Sequence, residues 1–167
     1  MRIRTGDLTA DAERALLTAY FDYREASFPT PGGYAVTFPN PADFEEPNGV
    51  FLVVDDDDGV PVGCGGIRML RSPGEDADDG ADGHPSAAVR YEVKHVWLGE
   101  AARGRGWATA LMDELENRAR AYGATELVLD THHSLDGAAK LYARLGYQLT
   151  EPYNTNPNAT RWYRKRL

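Results

Sequence analysis

Between the apolar run "YEVKHVWL" (Tyr91–Leu98) and a helical stripe of Ala108, Leu111, Met112, Leu115, Ala119 and Tyr122 stands Arg103-Gly104-Arg105-Gly106. A strand that feeds a glycine-rich turn and then an amphipathic helix commits the chain to a sheet covered by a helix. The helix opens without the Ser, Thr, Asp or Asn that usually satisfies its first N–H groups. Strand, glycine turn and helix N-terminus together form a recipe for holding an anion. The glycines let backbone N–H groups come close, the helix end carries about half a positive charge, and two arginines add charge-assisted donors. A plain tight turn fits the same residues. The Lys-Ser/Thr of a P-loop and the three-glycine spacing of a dinucleotide fingerprint are both missing.

The rest of the pattern is that of a mixed sheet. "RIRTGD" reads as a short strand, and Thr9 as the cap of a helix with Ala12, Leu16, Ala19, Tyr20 and Tyr23 on its stripe. Residues 28–48, rich in Pro, Gly and aromatics, read as an irregular wall with a helical turn. "VFLVV" and "VPVGCGGIRML", joined by "DDDDG", predict a hairpin, and "RSPGEDADDGADGHPSA" an acidic low-complexity loop. Beyond the central helix, whose outer face pairs Glu114 with Arg118 and Glu116 with Arg120, come the strand "ELVLDT" and a helix over about 136–145. Gly146 stops that helix, and "YQL" and "TRWYRKRL" close the sheet. The expected class is α/β (α+β), in a single domain over 1–167.

Composition removes several functions. A chain of 167 residues with 42% hydrophobic and 26% charged residues buries a real core. The net charge of −8 argues against nucleic acid, and the basic tail "RWYRKRL" reads as a strand with its cationic side chains in solvent. No apolar run approaches a membrane span, the N-terminus lacks a signal-peptide core, and the single Cys64 gives no disulfide. A cytoplasmic chain is expected, and a homodimer is left open.

Two motifs then carry a resemblance. Arg103-x-x-Gly106-x-Ala108 resembles the Q/R-x-x-G-x-G/A signature of the GNAT superfamily of acyl-CoA-dependent N-acetyltransferases. "GAAKLYARLGY" (Gly137–Tyr147) is similar to that family's later A-x-x-L-Y-x-x-x-G-F/Y element, with Ala138, Leu141, Tyr142, Gly146 and Tyr147 in register. The order of elements agrees along nearly the whole chain. The resemblance implies the GNAT fold, a central mixed and largely antiparallel sheet with helices on both faces, and acetyl-CoA as co-substrate. It also implies that backbone groups of Val96, Trp97 and Leu98 pair with the pantetheine arm like an added strand. N–H groups from Arg103 through Gly104, Arg105, Gly106 and Trp107 to Ala108 would hold the pyrophosphate. Whether the Trp107 ring lies over the cofactor or packs beneath the helix is open at this point.

Acetyl transfer to an amine needs a base, because an alkylamine is mostly protonated at pH 7, and the departing thiolate is helped by an acid. Glu92, a carboxylate on the apolar central strand eleven residues before Arg103, matches the position of the catalytic glutamate in the histone-acetyltransferase branch. It is the first candidate base; an ion pair with Lys94 or Arg90 is its structural alternative. Tyr142 is the candidate acid, since a phenol donates a proton where Phe cannot. His132 and His133, after "ELVLDT", are rival bases, while His95 falls by simple alternation on the face opposite Glu92. The adjacent histidines should point apart on an extended chain, and no metal site is expected. Cys64 reads as a small core residue. Tyr153 and Asn154, in "EPYNTNPNATRW", either line an acceptor site or order a turn. The expected reaction moves an acetyl group onto a primary amine of a small molecule. A protein N-terminus or lysine acceptor, or an acyl-CoA-binding module without turnover, are the alternatives.

Overall fold

The computed structural model describes residues 1–70 and 88–167; the acidic loop read at 71–87 lies outside them. Seven strands form one sheet: β1 (Arg2–Thr5), β2 (Gly49–Asp55), β3 (Pro61–Leu70), β4 (Arg90–Leu98), β5 (Glu126–Thr131), β6 (Gln148–Thr150) and β7 (Arg161–Arg166). Their order is β1-β2-β3-β4-β5-β7-β6, antiparallel throughout except for the parallel pair β4–β5. Among the described residues three α-helices flank it: α1 (Asp11–Ala26), α2 (Trp107–Ala121) and α3 (Asp136–Arg144). The mixed, largely antiparallel sheet expected from the sequence is the one observed. The basic segment at the C-terminus is an interior strand, β7, lying between β5 and β6.

Strand β2 is buried along its whole length, so its alternation separates two cores. Val50, Leu52 and Val54 join Ile67, Leu111, Met112 and Leu115 under α2, in a cluster that reaches Tyr142, Tyr147 and Tyr163. Phe51 and Val53 join Leu16, Leu17, Phe21, Phe44 and Cys64 under α1. Cys64 is a fully buried core residue, and desolvation pushes its thiol well above the ordinary range. Among the described residues no helix is long and apolar enough to cross a membrane.

The first helix differs from its sequence reading. Both the N–H and the hydroxyl of Thr9 donate to Asp7 Oδ1, and α1 begins beyond Ala10 with no side-chain cap. Its buried stripe is Glu13, Leu16, Leu17, Phe21 and Arg24, rotated from the expected one; Tyr23 is 36% exposed. The rotation follows the bulk of Leu17 and Phe21, and Arg4 makes it tolerable by bonding both Glu13 (2.7 Å) and Asp55 (2.8 Å). Glu116, read on the outer face of α2, is buried. It accepts from Lys165 of β7 at 2.7 Å as well as from Arg120 at 3.4 Å, which ties helix to sheet.

Two irregularities in β4 open the sheet. Parallel pairing with β5 runs from Arg90↔Glu126 to Val93↔Leu129 and stops. Opposite β3, the register moves from Gly66↔Lys94 to Cys64↔Trp97, so His95 and Val96 together face Gly65. This is a β-bulge, with His95 at φ 57 in the left-handed region. Beyond Val93 the two strands diverge, leaving a wedge between Lys94–Leu98 and the end of β5.

Candidate active site

The turn after β4 is built as an anion cradle. A short 3₁₀ turn (Glu100–Ala102) is followed by Gly104 (φ 73) and Gly106 (φ 79), conformations that disfavour any residue with a Cβ. Gly106 caps α2 without a side-chain bond. The first backbone N–H groups accounted for after the turn are those of Thr109 and Ala110, both donating to the Gly106 carbonyl. The N–H groups of Gly104 through Ala108 have no acceptor among the described residues. Arg103 is the exception to the sequence reading, because its own N–H donates to the Glu100 carbonyl at 3.1 Å. Its Nε holds the Leu98 carbonyl at 3.1 Å, and its guanidinium lies 4.7 Å over the Tyr23 ring. Arg105 pairs with Asp57 at 3.2 Å and stacks 4.0 Å over Trp107. The Trp107 side chain packs with the core cluster under α2.

A cavity of about 540 Å³ fills the wedge, within the range of small-molecule sites. One wall is the irregular segment: Tyr34, Phe38, Asn40 and Asp43 line it, and the 3₁₀ turn Pro41–Phe44 shapes it. That segment is fastened to the C-terminal tail by Asn158, which accepts from the Ala35 N–H (2.9 Å) and donates to the Ala35 carbonyl (2.8 Å). Thr155 and Asn156 of the tail, Arg24 of α1 and Tyr142 of α3 complete the lining relevant here.

Glu92 lies beneath this cavity and is not part of its lining. It is 1% exposed and accepts from five donors: Arg68 Nε (2.9 Å) and Nη2 (2.7 Å), Lys94 Nζ (3.2 Å), Tyr153 Oη (3.0 Å) and Asn154 Nδ2 (3.2 Å). A carboxylate offers about four lone-pair sites, so every one is engaged. The ion pair is with Arg68 and Lys94; Arg90 bonds Glu126 instead, at 2.7 Å. Asp130, at the end of β5, does line the cavity. It accepts from Asn154 (2.7 Å), Asn156 (3.0 Å) and Lys94 (3.3 Å), which joins the two carboxylates through one ammonium. The tail therefore lines the site and orders a turn at once. Tyr153, half-buried against Glu92, has its hydroxyl held protonated by desolvation and then by that charge.

Tyr142 is buried at the ring, 5.9 Å from the Tyr147 ring and 5.7 Å from the Tyr163 ring, and lines the cavity. Its hydroxyl has no hydrogen-bond partner among the described residues. Desolvation pushes the phenol up to about 12, with Arg24 opposing and Asp130 adding to the shift. It thus keeps its proton across the physiological range.

The histidines divide differently from expectation. The bulge turns His95 onto the α1 face, the side of Glu92 and Lys94, where its ring packs 5.5 Å from Tyr20, 5.7 Å from Phe21 and 6.0 Å from Phe44. Simple alternation failed because the extra residue reverses every later side chain. Burial, then the charge of Lys94, lowers His95 to about 3, and its Nδ1 is buried without a partner. The rings of His132 and His133 stack at 4.3 Å, because the chain turns directly after β5. Their Nδ1 atoms are engaged by Ser134 (2.8 Å) and Thr160 (2.9 Å), and desolvation keeps His132 below the usual histidine range. No group of three or more metal-ligating side chains occurs among the described residues.

Sequence reasoning missed Arg24, Arg68 and Asp130, and named Lys94 only as an ion-pair partner of Glu92, which it is. Asp130 carried a usable signal, a carboxylate at the carboxyl end of an apolar parallel strand, where open sheets bind ligands. Arg24 carried another, its i+7 spacing from Leu17 on a buried stripe.

Comparison with known proteins agrees with this geometry. The family model described as "Acetyltransferase (GNAT) family" matches residues 13–147. An uncharacterized N-acetyltransferase of Schizosaccharomyces pombe is 29% identical over 111 residues, 66% of this chain and 59% of that protein. Mouse N-alpha-acetyltransferase 80 is 47% identical over 60 residues, 36% of this chain and 18% of that protein. The matches thus span less than two thirds of these relatives' lengths. Among solved structures, an acyl-CoA N-acyltransferase assignment from Klebsiella pneumoniae superposes with TM-score 0.71 at 24% identity, covering 99% of this chain and 97% of that one. Salmonella typhimurium yncA, solved with its cofactor acetyl-CoA, superposes with TM-score 0.64 at 16% identity, covering 99% and 93%. With its signature turn, split sheet and family match over 13–147, the chain belongs to the GNAT acetyltransferase family.

Proposed function

We propose that this chain transfers an acetyl group from acetyl-CoA to a primary amine of a small molecule, by direct attack in a ternary complex. The observation that carries the reading is the wedge cavity, with an unpartnered Tyr142 hydroxyl at its wall and a row of unpartnered N–H groups at the adjacent helix start. When bound, acetyl-CoA supplies an acetyl thioester. The diverging edge of β4 at Val96, Trp97 and Leu98 holds the pantetheine arm. The N–H groups of Gly104 through Ala108, including those of Arg105, Gly106 and Trp107, hold the pyrophosphate. Arg103 and Arg105, fixed by Leu98, Tyr23, Asp57 and Trp107, add positive charge beside it. Tyr142 delivers a proton to the leaving sulfur.

Proton removal from the amine is assigned to the linked carboxylates Glu92 and Asp130. Asp130 is the member that reaches the cavity, so it accepts the proton. Glu92, saturated by five donors, is a positioning residue that fixes Arg68, Lys94, Tyr153 and Asn154 around it. The direct base role expected of Glu92 requires it to give up one of those donors.

A small-molecule acceptor is supported by the walled form of the cavity, whose outer wall is pinned by Asn158 to Ala35. A protein N-terminus is the second reading, favoured by the match to N-alpha-acetyltransferase 80. A screen of small amines and N-terminal peptides with acetyl-CoA and free-thiol detection tests both. Thiol release with small amines and none with peptides upholds the proposal. Release with peptides alone transfers it to the second reading, and CoA binding without any release makes the chain a binding module.

A further inference from the structure

The charged side chains lining the wedge cavity are Arg24, Asp43, Arg68, Lys94 and Asp130. Four of them are matched. Arg68 bonds Glu92 at 2.7 Å and Asp43 at 3.5 Å, and Lys94 bonds Glu92 at 3.2 Å and Asp130 at 3.3 Å. Arg24 is not. It is 9% exposed, its Nε is buried without an acceptor, and no carboxylate pairs with it among the described residues. Its position in the last turn of α1 and its place 5.2 Å over the Tyr34 ring offset part of the cost of burying the charge. Neither supplies an acceptor for its five fixed N–H donors. A buried guanidinium left without an anion is costly, and the planar fork is the side chain best suited to a carboxylate.

Arg24 also lies close to the reacting end of the site. Tyr142 feels the charges of both Arg24 and Asp130, and His132 feels that of Arg24. The cavity thus offers an unpaired cation and an anion along the same lining as the candidate acid. We propose that Arg24 receives a carboxylate of the acceptor, so that the substrate is an amine carrying a carboxylate, of the amino acid type. Its ammonium then faces Asp130 while its carboxylate sits in the Arg24 fork. This deepens the small-molecule acetyltransferase reading and rests on it for the turnover, though not for the binding.

The test compares L-amino acids with the corresponding amino acid amides as acceptors, in the wild type, Arg24→Gln and Arg24→Lys. A second arm, independent of turnover, measures by calorimetry the binding of N-acetyl amino acids and their amides to each protein in the presence of CoA. CoA affinity reports whether each variant is folded. The wild type is expected to favour the acids by roughly 10–100-fold in kcat/KM, the scale of one charge-assisted pair. Arg24→Gln should collapse that ratio toward one, and Arg24→Lys should fall between. If no acceptor turns over but N-acetyl amino acids bind in an Arg24-dependent way, the carboxylate site stands and the acetyl-transfer reading falls. If acids and amides are treated alike in turnover and in binding, the proposal is overturned. If Arg24→Gln fails to bind CoA, the acid-to-amide ratio in the wild type and in Arg24→Lys decides, an equal ratio near one overturning it.

Discussion

Replacing Tyr142 with Phe separates the proposed proton donor from the core aromatic, because the two roles fall to different atoms. The ring lies between Tyr147 and Tyr163 and supplies the packing; the hydroxyl faces the cavity and bonds nothing among the described residues. Tyr142→Phe therefore keeps the buried area and orphans no partner, so its stability cost should stay below about 0.5 kcal/mol. For a domain of this size that is a Tm shift of less than about 2 °C. Tyr142→Ala is the contrast, since emptying an aromatic site costs about 3–5 kcal/mol.

The catalytic effect should be far larger. A positioned acid contributes about 10²–10⁴-fold, and water in an open cavity replaces part of it, so the lower end applies, about 10²-fold in kcat. Affinity for acetyl-CoA should change little, because the substitution leaves the backbone N–H groups of the proposed pyrophosphate cradle untouched. With the phenol pushed up to about 12, the wild type should not lose this acid below about pH 11. Single-turnover acetyl transfer, read as thiol release, isolates chemistry from product release. A single-turnover rate within twofold of wild type, or activity lost only in proportion to a falling Tm, returns Tyr142 to the core.

Calorimetry should show CoA binding well ahead of dephosphorylated pantetheine, and equal affinities would remove the pyrophosphate from Gly104–Ala108. Gly106→Val places a β-branched residue at φ 79, where left-handed backbone costs about 1–2 kcal/mol, and should weaken CoA roughly tenfold or more; unchanged affinity would show that the turn tolerates other conformations. Asp130→Asn should lower kcat/KM most at acidic to neutral pH and be partly rescued at high pH, where more amine is already neutral. Glu92→Gln should instead cost about 1–3 kcal/mol of stability with the pH profile keeping its shape; the reverse pattern makes Glu92 the base. For His95, lowered to about 3 from 6.5, the native state favours the neutral ring, so stability is intact above about pH 6.5 and falls as pH drops toward 3. The slope should be at most about 1.4 kcal/mol per pH unit, and a His95→Phe variant with the same acid limb would assign it to other groups.

The fold was legible in the sequence wherever one period ran undisturbed. The alternation of β2 and the stripe of α2 each pointed to a single face, and Gly146, at φ 84, ended α3 where a left-handed residue was needed. Legibility failed where a charge took an apolar position. Glu13 and Arg24 complete the stripe of α1, but a reading that counts only apolar residues skips both and rotates the helix toward Tyr23. Glu13 is buried because Arg4, nine residues earlier, reaches it. That pairing depends on β1 lying beside β2, so no local window contains it.

The proposed acid–base centre was legible only in part, in Glu92 with Lys94 and in Tyr153 with Asn154, for a related reason. Its groups come from five separate stretches: Arg24 on α1, Arg68 on β3, Glu92 and Lys94 on β4, Asp130 on β5, and Tyr153 to Asn156 in the tail. Spacing along the chain says nothing of their contact. One extra residue at His95–Val96 also breaks the two-residue period of β4, and this reversed the assignment of His95. That bulge and the end of pairing at Val93 are also what open the wedge. An unbroken β4, paired to β5 along its length, would have been easier to read and would have left no cavity between them. Arg68 and Lys94 form ion pairs with Asp43 and Asp130 of the lining and with Glu92 beneath it, and Arg24 remains as the one lining cation without an ion pair among the described residues. On the proposal above, Arg24 is left for an anion that enters the wedge from outside.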